Sequence, residues 1–143
     1  MKGKALCNFD LIGGRLVDPC SGIDRVKDLF VREGIIYSSI PAGKPAEQTF
    51  NIKEHIILPG LLDLRVHNRV PGDTQSETVQ SLTQAAAKGG FSSILAMPNT
   101  SPYSDNPGTI RYIQDRIKQA SKIKVHLTGC LTIGSNGKAL APL

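Results

Sequence analysis

Tryptophan is absent, and aromatic residues make up only 5% of the 143-residue chain. That speaks against a stacking platform for single-stranded nucleic acid. A basic stripe is missing too. The formal net charge is +5 and the pI about 9.3, but Lys and Arg are scattered, so nucleic acid is not expected as a partner. Cysteine is scarce: Cys7, Cys20 and Cys130 are odd in number and widely spaced. They form no C-x-x-C or zinc-ribbon pattern and read as reduced thiols of a cytoplasmic protein. No stretch approaches the ~20 apolar residues of a membrane-spanning helix. The first ten residues, Met1 to Asp10, hold no apolar core of signal-peptide length. The expectation is a soluble, cytoplasmic chain with no membrane partner. What remains, 40% hydrophobic and 20% charged residues, is the composition of an ordinary globular domain.

Two patterns divide the chain. Residues 1–57 carry short apolar runs separated by turn residues. Leu11 to Pro19 reads as a strand pair or a bent strand around Gly13-Gly14, and Ser21-Gly22 marks a turn. Asp28 to Arg32 and Gly34 to Ile40 flank Glu33-Gly34 as a hairpin. Gln48 to Ile52 and Ile56 to Leu58 are two more short strands. This pattern predicts a small β-sandwich subdomain. From residue 58 to 143 the pattern becomes strands alternating with helices. Thr74-Gln75-Ser76-Glu77 has the form of a capping box for a helix running to about Lys88, with Val79, Leu82 and Ala86 on one face. Phe91 to Ala96 is an apolar run suited to a buried parallel strand. Asn106-Pro107 opens a second helix, with Ile110, Ile113, Ile117 and Ala120 as its core stripe. Lys124 to Cys130 is a third strand, and Lys138 to Leu143 the start of a further helix.

Residues 58–72, Leu-Pro-Gly-Leu-Leu-Asp-Leu-Arg-Val-His-Asn-Arg-Val-Pro-Gly, join the two halves. Alternation from Leu62 to His67 places Leu62, Leu64 and Val66 on one strand face and Asp63, Arg65 and His67 on the other. A row of ionisable side chains on an apolar strand is costly unless that face lines a site. His67 is then the candidate metal ligand, since an imidazole nitrogen suits zinc.

This stretch resembles the first barrel strand of the amidohydrolase superfamily, which carries Asp-x-His-x-His after a Pro-Gly. The continuation His67-x-Arg69-x-Pro71-Gly72 is similar to the cyclic amidohydrolases. Ala96-Met97-Pro98-Asn99-Thr100-Ser101-Pro102 resembles the dihydroorotase branch rather than hydantoinases or allantoinases. The resemblance covers nearly the whole chain but only the first third or so of a family-length protein. It implies the front of a (β/α)₈ TIM barrel with an N-terminal β-sandwich, and a zinc hydrolase of cyclic amides. The reaction it implies is the reversible hydrolysis of dihydroorotate to N-carbamoyl-L-aspartate in pyrimidine biosynthesis. A closed barrel takes eight strands in roughly 250 residues. The expectation is therefore a barrel left incomplete, and a chain inactive by itself.

The resemblance also implies roles. His67 matches the family's second metal His, and Arg65 stands where the first should be. A guanidinium offers no lone pair to a metal. Arg69 and Asn99 match the pair that binds the substrate carboxylate. An Arg fork suits a carboxylate, and an Asn amide donates beside it. The alternative for Arg69 is a solvated loop charge, and for Asn99 a turn residue after Pro98. His55 lies before the barrel stretch, and His126, on the third strand, is a weaker site candidate. No catalytic acid or base is assigned within the chain. The expected partner is a small molecule, dihydroorotate or carbamoyl aspartate. The resemblance leaves open a homodimer, a non-catalytic scaffold bound to aspartate transcarbamoylase (which Arg65 would suit), and a relative acting on other cyclic ureides.

Overall fold

The computed structural model describes residues 8–143. Cys7, with the rest of the first seven residues, lies outside the described residues. The chain forms two compact units, Met1–Pro59 and Gly60–Leu143.

The described residues of the first unit hold seven strands: β1 (Asn8–Ile12), β2 (Arg15–Asp18), β3 (Ile23–Val26), β4 (Leu29–Arg32), β5 (Ile35–Tyr37), β6 (Gln48–Asn51) and β7 (Ile56–Ile57). They make two sheets, ordered β5-β4-β1-β6 and β3-β2-β7. The hairpin forms as the sequence pattern predicts. β4 pairs antiparallel with β5, and Glu33 and Gly34 both take positive φ, 52° and 81°. That is the paired left-handed turn whose twist matches a two-residue hairpin. The run from Leu11 to Pro19 is not a strand pair. β1 and β2 belong to different sheets, and the chain changes sheet at Gly13, whose φ is +82° and whose N–H donates to Asp28 Oδ1 at 2.8 Å. β3, absent from the sequence reading, pairs antiparallel with β2. Its alternation is masked by Asp24 and Arg25 on an exposed edge.

The second unit is a parallel sheet with helices: β8 (Leu61–Val66), α1 (Val79–Lys88), β9 (Phe91–Ala96), α2 (Pro107–Ala120) and β10 (Lys124–Leu127). The order is β10-β9-β8, and both pairings are parallel. The sheet is open, with β8 and β10 at its edges among the described residues. Ile94, Ala96, Val79, Thr83 and Ile113 are buried. α2 begins as expected, with Asn106 at the N-cap accepting from Thr109 N–H and Pro107 in the first turn.

Three expectations are corrected here. The capping box lies one turn later than Thr74–Glu77: Thr78 caps α1 and exchanges hydrogen bonds with Ser81. The earlier residues are taken up in a turn, because Asp73 Oδ1 accepts from Ser76 N–H at 3.3 Å. Residues 138–143 do not start a helix; Leu140 bridges back to Thr132, and Ile133 N–H donates to Ala139 O. Finally, the alternation of β8 is broken. Its register against β9 shifts between Leu61 and Leu62 and again between Asp63 and Val66. Asp63 and Val66, an odd and an even position, line the same hollow beneath Leu82, Ala85 and Ala86 of α1. Leu62 and Leu64 are 54% and 64% exposed. A bulge of this kind re-aims the side chains that follow it. Here the Asp63 carboxylate turns back to accept from Arg65 N–H at 2.9 Å.

Candidate functional site

Two loops follow the C-terminal ends of β8 and β9, and both are held by short-range bonds. The first, from His67, is stapled by Asn68. Its buried amide donates to Val70 O at 2.5 Å and accepts from Val70 N–H at 3.2 Å. The second, from Met97, is drawn in by Thr100, whose hydroxyl donates to Pro102 O at 2.7 Å and lies 3.2 Å from Ser104 Oγ. Met97 N–H donates to Val66 O at 2.8 Å, and Ser101 N–H donates to Pro71 O at 3.0 Å, so the loops are joined backbone to backbone. Gly72 is required where they meet. Its φ is +125°, and a Cβ there would stand 3.0 Å from Ser101 Cβ and 3.2 Å from the Ser101 backbone. A side chain at this φ would be strained and would press on Ser101.

Between the loops is a cavity of about 200 Å³ lined by Asn68, Arg69, Asp73, Asn99, Thr100 and Ser101 among others. Arg69 and Asn99, 30 positions apart in the sequence, therefore share one small pocket. Asn99 also reaches His67: His67 Nδ1 lies 3.0 Å from Asn99 Oδ1. Hydrogen bonds from the Ser76 hydroxyl and backbone, with the Arg69 charge adding to them, lower the Asp73 pKa from its ordinary value. No ion pair closes on Arg69 or Arg65 among the described residues. The pocket is thus lined by a guanidinium and an amide together with hydroxyl groups and the Asp73 carboxylate. That arrangement can take a small carboxylate.

The other candidates do not join it. His55 sits in the first unit, its Nδ1 2.9 Å from Lys53 O. His126 is exposed on β10, opposite Leu95 of β9, with β9 between it and β8. Cys130 is buried near Pro98, and burial, followed by the Asp105 charge, raises its pKa. Sequence reasoning missed Asn68, Thr100 and Ser101 as pocket residues. The only signal for them was the Asn/Ser/Thr-rich turn chemistry around each Pro.

A catalytic zinc site needs three protein ligands and an open position. The described residues hold no group of three or more His, Cys, Asp or Glu able to supply them. At the strand end His67 is the one imidazole, and Arg65 adds a charge that repels a cation. The described residues by themselves do not supply a catalytic zinc site.

A family model described as dihydro-orotase-like matches residues 54–143. The chain belongs to this family. A dihydroorotase from Desulforapulum autotrophicum is 41% identical over 133 residues, covering 90% of this chain and 31% of its own length. A dihydroorotase from Solibacter usitatus is 39% identical over 131 residues, covering 91% and 30%. This dihydroorotase-like chain spans about a third of the length of the curated relatives it matches. Among solved structures, the L-hydantoinase (dihydropyrimidinase) of Arthrobacter aurescens superposes with a TM-score of 0.69 at 22% identity, covering 89% of this chain and 28% of its own. An N-acyl-D-glutamate deacylase from Bordetella bronchiseptica superposes with a TM-score of 0.55 at 18% identity, covering 88% and 30%. These two likenesses concern the fold. No helix among the described residues is long and apolar enough to cross a membrane.

Proposed function

We propose that this chain carries the carboxylate-binding part of a dihydroorotase-type cyclic amidohydrolase, with dihydroorotate and N-carbamoyl-L-aspartate as its ligands. The observation that carries this is the shared pocket of Arg69 and Asn99. Dihydroorotate has one ring carboxylate. Arg69 would take it through two parallel N–H bonds, and Asn99 Nδ2 would donate to the same group. Both contacts orient the ring; neither moves a proton or attacks a carbonyl. On this reading the second unit is the front of a TIM barrel, residues 1–57 are a separate β-sandwich subdomain, and the pathway is cytoplasmic pyrimidine biosynthesis.

Arg65, standing where the resemblance places a metal His, favours a second reading: a non-catalytic scaffold partnering aspartate transcarbamoylase, or a homodimer, that keeps the carboxylate pocket. Both readings are tested by calorimetric titration of the chain with dihydroorotate, beside an assay of ring opening. Binding that Arg69→Ala weakens by about 1.5–3 kcal/mol, the worth of a hydrogen bond to a charged group, supports the pocket. Turnover would remove the scaffold reading. Equal binding by Arg69→Ala would return Arg69 to a solvated loop charge.

A further inference from the structure

Arg69 is exposed, yet both of its neighbours are buried: Asn68 is 4% exposed and Val70 5%. A buried amide needs partners for its polar atoms, and Asn68 finds them on a single residue. Its Nδ2 donates to Val70 O at 2.5 Å, and its Oδ1 accepts from Val70 N–H at 3.2 Å. The orientation of this amide is fixed by its partners. A backbone N–H only donates and a carbonyl oxygen only accepts, so Oδ1 faces the one and Nδ2 the other. The side chain of residue 68 thus grips both backbone polar groups of residue 70, across residue 69. The Arg69 carbonyl is held as well, accepting from Asp73 N–H at 2.9 Å, and Pro71 O accepts from Ser101 N–H at 3.0 Å. Arg69 is left with a fixed backbone and a side chain that lines the cavity. A long side chain loses rotamer freedom when it is ordered, and a fixed stem removes the further cost of ordering the loop on binding.

We propose that Asn68 is a positioning residue for ligand binding: its amide clasps the N–H and C=O of Val70 and thereby fixes the backbone from which Arg69 serves the carboxylate cavity. This rests on the carboxylate-pocket reading above and deepens it, assigning the affinity of that pocket to loop geometry as well as to charge. The same guanidinium on a loose loop would have to order residues 68–70 at each binding event. The amide supplies a donor and an acceptor together. A serine hydroxyl at residue 68 can accept from the N–H two residues on, and alanine makes neither bond.

Titration of the chain with dihydroorotate tests this as a double-mutant cycle. Asn68→Ala should bind about tenfold more weakly than wild type, the lower end of what a hydrogen bond to a charged group is worth. Asn68→Ser should recover part of that loss. In the Arg69→Ala background, Asn68→Ala should weaken binding no further, since the group it positions is gone. A loss of the same size in both backgrounds would overturn the proposal, because Asn68 would then act on the ligand or the pocket without Arg69. Wild-type affinity in Asn68→Ala would overturn it too. Should Asn68→Ala not fold, Asn68→Ser carries the same cycle with Arg69→Ala. Amide hydrogen exchange at Val70 reads the clasp without ligand: exchange should quicken in the Asn68 variants, and unchanged protection would contradict the clasp. Failure of the wild-type chain to bind dihydroorotate would remove the pocket reading and with it the role of Asn68. Wild-type binding with an affinity insensitive to Asn68 would remove the Asn68 role alone.

Discussion

Arginine is used in opposite ways in the two units. In the first, Arg32 is 1% exposed. Its guanidinium bonds to Asp10 Oδ1 at 2.7 Å and to the carbonyl oxygens of Lys44, Phe9 and Val31. Those donors are spent on the fold. In the second, Arg65 and Arg69 are exposed at and just past the end of β8, and no described carboxylate closes on either. Arg32 is a structural cross-link through Nε and Nη1, whereas the proposed function gives the exposed fork of Arg69 to a ligand. Burial and partner count, rather than residue type, separate the two roles.

The largest effect expected from this contrast is in the first unit. Arg32→Ala strands the Asp10 carboxylate and three backbone carbonyls, and should cost about 3–5 kcal/mol, read by urea unfolding. A loss under about 1 kcal/mol would mean that Arg32 is no more structural than Arg69. Next, Ile94→Ala opens a void at the centre of the parallel sheet, where Ile94 is 1% exposed, and should cost about 2–4 kcal/mol. A cost comparable to a surface change would show the sheet to be loosely packed. Asn106→Ala removes the α2 cap bond to Thr109 N–H at 2.9 Å and should cost about 1 kcal/mol, by the same melt.

Asp105 is the second unit's counterpart to Asp10, a carboxylate used for structure. Hydrogen bonds from the Gly134 backbone N–H and the Asn106 side chain lower its pKa. A depressed folded pKa adds stability above the unfolded value, about 3.9, and that stability is lost as pH falls through the folded value. Asp105→Asn should therefore melt below wild type at neutral pH, with the gap closing under about pH 4. A gap that persisted at acid pH would locate the effect in shape rather than charge.

Much of the second unit was legible in the sequence because its signals are local. Asn106-Pro107, the Ile stripe of α2 and the unbroken apolar run of β9 each state one element. Arg69 and Asn99 were legible through the motifs that hold them. Two things were not. The bulge in β8 depends on pairing with β9, so strict alternation from Leu62 to His67 misassigned Asp63 and Val66 to opposite faces. The cap of α1 was displaced because Asp73, one residue before the four-residue pattern, takes up the backbone of Ser76 and Glu77 in a local turn. In the first unit the hairpin was legible from Glu33-Gly34, while the division of β1 and β2 between two sheets falls at Gly13-Gly14.

The contrast between the two kinds of arginine is tested most directly by thermal melting of wild type and Arg69→Ala, each with and without saturating dihydroorotate. A ligand that binds only the folded chain raises its melting temperature. Without ligand the two should melt together, within the ~0.5 kcal/mol of an ordinary surface change. With ligand, wild type should melt higher and Arg69→Ala should not move. An equal shift in both proteins, or no shift in wild type, would contradict the assignment of Arg69 to a ligand.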